Sequence, residues 1–204
     1  MKKRVWKPGT LVYPIPAIMV SCGDINGEKN IITIAWTGTI CSNPPMCYIS
    51  VRPERHSYQM IKESGEFVIN LTTEALAFAT DFCGVKSGKD IDKFKANNLT
   101  AIPGILVKAP LIAESPLNIE CKVIEIKKLG SHDMFIAEVI AIHANEELFD
   151  PETDAFDLNA AQMLVYSHGH YFGVGKKIGR FGYSVMKEKT KKRILKSEKT
   201  SRET

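Results

Sequence analysis

The sequence predicts a mainly β protein with a few short helices, folded as a closed or nearly closed antiparallel barrel. Three observations predict this class: the apolar segments are short and rich in Val, Ile, Phe and Tyr, turn residues separate them, and the helical segments between them are few. Strands and helices do not alternate regularly, which disfavours a doubly wound parallel sheet. With 204 residues the chain can form one substantial domain.

A hairpin is predicted at the start of this barrel. Residues 11–21 are apolar, and two prolines, Pro14 and Pro16, place the first half of this strand at a sheet edge or in an irregular lead-in. The Asn26-Gly27 pair is a strong hairpin signal. Residues 31–37 supply the returning strand.

The next part of the chain predicts two more strands joined by a helix. An Asn-Pro-Pro turn precedes the first strand, Ser57 is positioned as the N-cap of the helix, and Gly65 ends the helix. The predicted elements are strand 46–51, helix 58–64 and strand 66–71.

The second half predicts one more helix and a long hairpin. Thr73 precedes a short apolar helix, and a polar loop with one helical turn follows it. Residues 130–133 then join two long segments of alternating character. The predicted elements are helix 74–82, loop 83–98, strands 118–129 and 134–148, and an aromatic, glycine-rich segment without periodicity from residue 165 onward.

The positive charge of the chain is concentrated at its end. The formal net charge is +4, but residues 187–204 carry eight Lys or Arg and three Glu, while residues 1–186 carry 19 basic and 20 acidic side chains. We therefore predict a single domain over residues 1–186 and a basic, flexible tail over residues 187–204. A nucleic-acid-binding barrel is an alternative suggested only by the basic ends; the near-neutral body argues against it, and we predict no nucleic-acid partner.

Composition and cysteine use predict a cytoplasmic protein without a membrane partner. No apolar run approaches the roughly 20 residues that span a bilayer, and no apolar segment follows the basic N-terminus as it would in a secretory signal. The five cysteines are odd in number and lack the paired spacing of a zinc site. They predict reduced thiols that are mostly buried.

The polar corner at residues 52–57, RPERHS, is the first candidate binding motif. It precedes the predicted helix, whose N-terminus attracts anions through its dipole and free N–H groups. Arg52 can offer a planar fork to phosphate oxygens, His56 can donate a hydrogen bond, and Ser57 can offer its hydroxyl and amide. An ordinary capped helix is the alternative. Together with the strands before it, the corner predicts a mononucleotide cofactor, with FMN as the leading candidate.

Three further segments supply candidate residues. Residues 33–39 are mostly small, so a flat ring can approach the backbone there, and Trp36 can cover a ring face or fill a core. The FCGVKSGK segment, residues 82–89, combines glycines with a hydroxyl and cations. The YSHGHYF segment, residues 166–172, has two His without a third ligand at a suitable spacing, so we predict no metal site.

Taken together, these segments resemble the flavin reductase-like family, the FMN-binding split β-barrels that include the flavoredoxins. The resemblance extends over roughly residues 8–185 and is carried, in chain order, by NIITIAWTGTICSNPPMCYISV, RPERHSYQMIKESGEFVINL, FCGVKSGKD and YSHGHYFGVGKKIG. It implies an FMN-binding split β-barrel, a Greek-key antiparallel barrel with a few short helices. It also implies a homodimer in which each FMN lies near the subunit interface.

The resemblance further implies which residues bind the cofactor. One group would line the isoalloxazine ring, a second would follow the ribityl chain to the phosphate, and a third, from the late aromatic segment, would reach the flavin of its own subunit or of the partner subunit. The implied residues are Thr33, Ala35, Trp36 and Thr37 for the ring; Ser50, Arg52, His56, Ser57 and Lys89 for the ribityl-phosphate; Cys83, Gly84 and Ser87 beside the ring or ribityl chain; and His168 and Tyr171 from the late segment.

The predicted function is that of an FMN-binding oxidoreductase of the flavin reductase or flavoredoxin type. Such a protein moves hydride or electrons between NAD(P)H or a redox partner and FMN. Because the flavin carries the chemistry, no catalytic side chain is predicted. The alternative is a non-enzymatic FMN-binding electron carrier or sensor module. The sequence has no nicotinamide-binding fingerprint, which leaves the electron donor open.

Overall fold

The computed structural model describes residues 1–187 and Thr190. The chain divides into two compact units, Met1–Val174 and the residues from Gly175 onward. The described part of the second unit contains a short 3-10 helix, Tyr183–Val185. Apart from Lys187 and Thr190, the predicted basic tail lies outside the described residues, and its boundary with the domain stays a prediction. No helix in the described part of the chain combines the length and apolar character needed to cross a membrane.

The first unit, which the structure describes throughout, contains twelve strands and three α-helices. The strands are β1 (Ile15–Pro16), β2 (Ile18–Gly23), β3 (Lys29–Ile34), β4 (Thr37–Ser42), β5 (Pro45–Val51), β6 (Glu66–Asn70), β7 (Ala101–Ile102), β8 (Leu111–Ile112), β9 (Leu117–Lys128), β10 (Asp133–Ala144), β11 (Leu164–Ser167) and β12 (His170–Gly173). The helices are α1 (His56–Ser64), α2 (Ala77–Val85) and α3 (Lys93–Ala96). Short 3-10 helices cover Glu74–Leu76, Glu146–Leu148 and Leu158–Ala161.

Seven antiparallel strands form the main sheet, in the order β3-β2-β6-β9-β10-β5-β4. A flat sheet of seven strands would be about 29 Å wide. Its two edge strands, however, follow each other in the chain, and the three peptide units from Ile34 to Thr37 span at most about 11 Å. The sheet therefore curls until its edges meet, and the predicted Greek-key antiparallel barrel with a few short helices is confirmed.

The point where the two edges meet is called the seam here and consists of Ala35 and Trp36. At the seam the backbone N–H of Ser50 donates to the carbonyl oxygen of Trp36 at 2.9 Å, which ties the crossing chain to β5. Two small sheets lie outside the barrel, β1-β11-β12 and β7-β8.

Strands β2 and β3 are buried on both faces because the barrel interior covers one face and helices cover the other. Ile18 and Val20 point inward, into a cluster that includes Ile49, Phe67 and Phe135. The alternate residues of the same strands pack against α2 and α3 in a second cluster, which contains Met19, Ile31, Ala79, Cys83 and Phe94. This second layer fixes both helices against the outer face of β3.

The structure differs from the predicted elements around the first helix and at the seam. The predicted end of strand 31–37 is wrong, because the chain leaves the sheet after Ile34, crosses the seam and begins β4 at Thr37. The predicted N-cap is also wrong: Arg55 occupies that position, while Ser57 is buried and its Oγ accepts a hydrogen bond from Asn30 Nδ2 at 2.9 Å. Gly65 ends α1 as predicted, in the left-handed region with φ +69°.

Two further predictions fail in the later segments. The helix predicted over residues 74–82 begins as a 3-10 turn and continues to Val85, so the polar loop begins after residue 85. The segment from residue 165, predicted to lack regular structure, contains the hairpin of β11 and β12. His168 and Gly169 both have positive φ in its turn, 47° and 89°, and β1 supplies a third strand. Cys22, Cys47, Cys83 and Cys121 are buried, as predicted, and Cys41 is half-buried.

Candidate functional site

A cavity of about 360 Å³ lies along β3, and we call it the polar cavity. Four parts of the chain form its wall: β3, the corner that starts α1, the end of α2 with the loop after it, and α3. Its lining residues are Asn30, Ile32, Glu54, Arg55, His56, Ser57, Cys83, Gly84, Val85, Lys86, Ser87, Gly88 and Lys93.

The N-terminus of α1 opens into the polar cavity. The N-cap residue Arg55 makes no capping hydrogen bond through its side chain, and the first turn contains no acidic residue. The first N–H groups of a helix have no partner inside the helix, and the helix dipole adds a partial positive charge there. Because His56 and Ser57 are the first helical residues and line the cavity, α1 presents an uncapped, positive end to it.

Lys93 lines the same cavity from α3 and is only 4% exposed. Its Nζ donates to the carbonyl oxygens of Ile31 at 2.6 Å and Cys83 at 2.8 Å. An ammonium group has a third donor, and no carboxylate among the described residues forms an ion pair with Lys93. Burial lowers the pKa of Lys93, the thiols of Cys83 and Cys22 oppose that shift, and Arg55 adds to it.

Helix α3 holds Lys93 at this depth through its neighbours in sequence. The carboxylate of Asp92 caps the helix by accepting from the backbone N–H of Lys95 at 3.1 Å. Phe94 is buried in the helix-side core cluster. A buried charge without a counter-ion is unfavourable, so the surroundings of Lys93 favour an anion in the polar cavity.

Backbone forms the wall of the polar cavity on the side of the loop after α2. A Cβ atom at Gly88 would lie 2.3 Å from Asn30 Oδ1, and one at Gly84 would lie 3.2 Å from Thr33 Cβ. Asn30 in turn holds Ser57 by the hydrogen bond described above. The two glycines therefore allow the end of α2 and the loop after it to approach β3 closely enough to shape the cavity.

A second cavity of about 170 Å³ lies at the seam, and we call it the seam cavity. Trp36, 37% exposed, contacts His132 with ring centroids 4.4 Å apart, so two flat rings form part of its wall. Burial lowers the pKa of His132, and Arg52 lowers it further, which favours the neutral imidazole. Its lining residues are Ile32, Thr33, Ile34, Ala35, Trp36, Ser50, Val51, Arg52, Arg55 and His132. Ile32 and Arg55 line both cavities, so the two are neighbours.

Most of the residues implied by the sequence resemblance lie in these two cavities. The seam cavity contains Thr33, Ala35, Trp36, Ser50 and Arg52. The polar cavity contains His56, Ser57, Cys83, Gly84 and Ser87. Their roles toward a cofactor stay predictions.

Four of the implied residues lie elsewhere in the chain. Thr37 Oγ1 donates to the carbonyl oxygen of Tyr48 at 2.7 Å, and Tyr171 donates its hydroxyl to Asp81 at 3.2 Å. Lys89 lines a separate groove next to the polar cavity. His168 lines an aromatic cavity with the N-terminal segment. A single chain thus does not bring these four side chains to the two cavities.

The structure adds site residues that the sequence reading missed. Arg55 was part of the recognised corner, yet only the structure shows that it faces both cavities. Lys93 lies in a polar stretch that gave no sign of burial, and Asn30 and His132 contact the site from a strand start and a hairpin turn. Within the described residues, no three His, Cys, Asp or Glu side chains are grouped as metal ligands would be.

Comparisons with known proteins agree with this fold. The chain is similar to the flavoredoxin of Desulfovibrio vulgaris (Miyazaki F), with 30% identity, a TM-score of 0.83, and coverage of 91% of this chain and 100% of that one. It is also similar to a flavoredoxin from Methanosarcina acetivorans, with 27% identity, a TM-score of 0.81 and the same coverage. An uncharacterized protein of Pyrococcus abyssi is 31% identical over 140 residues, which are 69% of this chain and 80% of that protein. Residues 11–175 match the family described as flavin reductase like domain, and the chain belongs to that family.

Proposed function

We propose that the chain binds FMN across the two cavities and acts as an oxidoreductase of the flavin reductase or flavoredoxin type. The observation that carries the proposal is the buried ammonium group of Lys93, which faces the polar cavity without a carboxylate partner among the described residues. The terminal phosphate would occupy the polar cavity, and the ring system would occupy the seam cavity.

The polar cavity suits a phosphate monoester, which carries about two negative charges near pH 7. The N-terminus of α1 can bind phosphate oxygens with its backbone N–H groups, and Ser57 and His56 can add side-chain donors. Arg55 and Lys93 supply two cations. Among the described residues no carboxylate forms an ion pair with Arg55 or Lys93, so both cations are available to a phosphate dianion.

The seam cavity suits a flat ring with polar edges. Ala35 and Thr33 are small enough for a ring to approach the backbone, and the Trp36–His132 pair offers an aromatic wall. Arg52 places a cation at the same cavity, where it can stabilise negative charge on a bound ring. When bound, FMN supplies the hydride and electron chemistry.

The electron donor is proposed to be NAD(P)H or a redox protein. Trp36 is more than one-third exposed, so one side of the seam cavity can be reached from solvent. A second candidate, a non-enzymatic electron carrier or sensor, is favoured by the similarity to two structures that are named flavoredoxins. Both candidates use the same bound cofactor and differ in whether a pyridine nucleotide reduces it.

Reconstitution with FMN separates these candidates. The protein is loaded with FMN, freed of unbound flavin, and followed by its visible spectrum under anaerobic conditions as NADH or NADPH is added. Retained flavin that bleaches rapidly supports the reductase, and retained flavin that bleaches only with dithionite supports the carrier or sensor. A protein that retains no flavin, and shows no FMN affinity in titration, contradicts the proposal.

We further propose that the chain acts as a homodimer, as the family resemblance implies. His168 and Tyr171 lie outside both cavities of their own chain, and α2 exposes the apolar side chains of Phe78 and Val85, of which Val85 lines the polar cavity. Light scattering coupled to size exclusion would give twice the 22.7 kDa chain mass for a dimer. A single-chain mass at micromolar concentration, with FMN bound, would argue against it.

A further inference from the structure

Glu28 links the polar cavity to a neighbouring groove of about 340 Å³. Its Oε1 lies 3.1 Å from His56 Nε2, so the pair joins a groove residue to a cavity residue. Gly88 lines both spaces. The remaining groove residues are Gly27, Lys29, Lys89, Asp90, Ile91 and Asp92. We call this space the charged groove.

The turn between β2 and β3 fixes the position of Glu28. The backbone N–H of Asp24 donates to the carbonyl oxygen of Glu28 at 2.9 Å. Gly23 has a φ of +92°, and a Cβ there would lie 2.2 Å from the same carbonyl oxygen, so this close turn requires glycine. The carboxylate of Glu28 is thus presented toward His56 from a defined backbone.

The contact with Glu28 decides which nitrogen of His56 can meet a ligand. With Nε2 engaged by the carboxylate, Nδ1 is the ring nitrogen still available to a ligand. An imidazole held in this way by a carboxylate keeps a fixed orientation, as histidine ligands do when their second nitrogen is bonded. Glu28 therefore acts on a ligand through His56.

Opposite charges lie on the two sides of the Glu28–His56 pair. On the polar cavity side the charged groups are Glu54, Arg55, Lys86 and Lys93, of which three are cations. On the charged groove side they are Glu28, Lys29, Lys89, Asp90 and Asp92, of which three are carboxylates. A terminal phosphate in the polar cavity meets a net positive charge, whereas a second phosphate beyond His56 would enter a groove whose net charge is negative because its three carboxylates outnumber Lys29 and Lys89.

We propose that Glu28 is a positioning residue that makes the polar cavity selective for a terminal phosphate monoester, and so for FMN over FAD. FAD differs from FMN in carrying a second phosphate and an adenosine beyond the first phosphate. The inference rests on the proposed function and adds to it the reason for the choice between the two flavin nucleotides.

The experiment is a titration of the flavin-free protein with FMN, FAD and riboflavin, followed by flavin fluorescence. Wild-type protein is compared with Glu28→Gln and with a matched control, Glu125→Gln, which makes the same change at an exposed position on β9 that lines none of these cavities. Surface ion pairs contribute up to about 1 kcal/mol, so we expect Glu28→Gln to weaken FMN binding by about fivefold. Riboflavin affinity should not change, and FAD affinity should stay equal or rise.

The ratio of FMN to FAD affinity is the deciding readout. The inference is supported when wild type and Glu125→Gln prefer FMN and Glu28→Gln loses most of that preference at an unchanged melting temperature. It is overturned when Glu28→Gln keeps the wild-type ratio, or when its loss of affinity is equal for FMN and riboflavin. If wild-type protein binds no flavin, the proposed function itself fails. If it binds FMN and FAD equally, only the inference fails.

Discussion

Lys93 and Glu120 are both almost completely buried in the first unit, but they differ in how many hydrogen-bond and charged partners they have. The carboxylate of Glu120 accepts backbone N–H groups from residues 105–107 at 2.7 to 2.9 Å and meets His143 Nε2 at 2.5 Å. Lys93 donates to two neutral carbonyl oxygens and borders a cavity. A buried charge with a full set of partners stabilises the fold, whereas one without a counter-ion indicates a place for a ligand.

The pKa shifts of the two groups reflect this difference. Burial raises the pKa of Glu120, but the hydrogen bonds from the backbone and from His143 outweigh burial, so the pKa lies below its usual value. For Lys93 burial is the largest cause, and it lowers the pKa. The folded chain thus favours the charged form of Glu120 and disfavours the charged form of Lys93.

The largest expected effect is the loss of stability in Glu120→Ala. Removing the buried carboxylate takes the acceptor from three N–H groups of the loop at residues 105–107, of which that of Val107 is buried, and removes the contact with His143. Together these losses cost about 3–5 kcal/mol of unfolding free energy. Urea denaturation of the flavin-free protein measures it. A loss below about 1 kcal/mol would contradict a structural role for Glu120.

Lys93→Met, in contrast to Glu120→Ala, should change the stability of the flavin-free protein little and weaken FMN binding. Without flavin its unfolding free energy should change by less than about 2 kcal/mol, because the lost hydrogen bonds are offset by removal of an uncompensated buried charge. At the same FMN concentration, the melting temperature of wild type should rise more than that of this variant. An equal FMN-induced rise in melting temperature in both proteins would contradict a role for Lys93 in FMN binding.

Gly88→Ala tests whether close backbone approach shapes the polar cavity. The new Cβ would lie 2.3 Å from Asn30 Oδ1, and Asn30 also holds Ser57, so the wall must shift. We expect about a tenfold loss of FMN affinity, in line with overpacking costs of about 1–3 kcal/mol. Gly175→Ala, which meets no atom within 4 Å, is the matched control. Unchanged FMN affinity in Gly88→Ala would contradict the claim that close backbone approach at Gly88 shapes the polar cavity.

The two arginines of the corner should differ in effect. Arg55 lines both cavities, whereas Arg52 lines only the seam cavity, has a side chain 47% exposed and lies 3.6 Å from Glu54. Arg52→Ala should weaken FMN binding by about fivefold or less, and Arg55→Ala by more. Titration of both variants with FMN checks the order. An unchanged affinity in Arg52→Ala would exclude Arg52 from binding. A larger loss in Arg52→Ala than in Arg55→Ala would contradict the placement of the phosphate in the polar cavity.

The smallest effect concerns pH. Because the pKa of Lys93 is lowered from 10.5 in the folded chain, the unfolded chain binds more protons between that lowered value and pH 10.5. The stability of flavin-free wild type relative to Lys93→Met should therefore rise with pH in this window. For Glu120 the lowered pKa contributes stability that is present above pH 4.5 and lost as the pH falls through the folded value. A pH-independent difference between wild type and Lys93→Met would contradict the burial of a charged lysine.

Local sequence signals predicted the elements that depend on local chemistry. Asn26-Gly27 and Gly65 mark their turns, and the RPERHS corner lies at a cavity, because turn and helix-end residues act on their own neighbours. The hairpin of β11 and β12 was missed because its stability comes from pairing with the distant strand β1, and its short strands have no clear alternation.

The burial of Lys93 could not be predicted for a similar reason. Its segment, DIDKFKANN, is polar and is typical of a solvated loop. Only the packing of Phe94 beneath α3, together with the carbonyl groups of Ile31 and Cys83, places the ammonium group inside the protein. Those partners come from parts of the chain that are far apart in sequence, so no local pattern contains the information.

Calorimetric titration of wild type and Lys93→Met with FMN and with riboflavin, which lacks the phosphate, tests whether the polar cavity binds a phosphate. Wild type should bind FMN about a hundredfold more tightly than riboflavin, since bonds from charged groups to a phosphate contribute about 1.5–3 kcal/mol. In Lys93→Met the two affinities should approach each other while riboflavin binding is unchanged. Equal affinities of wild type for FMN and riboflavin, or an undiminished preference for FMN in Lys93→Met, would contradict the assignment of the polar cavity to a phosphate.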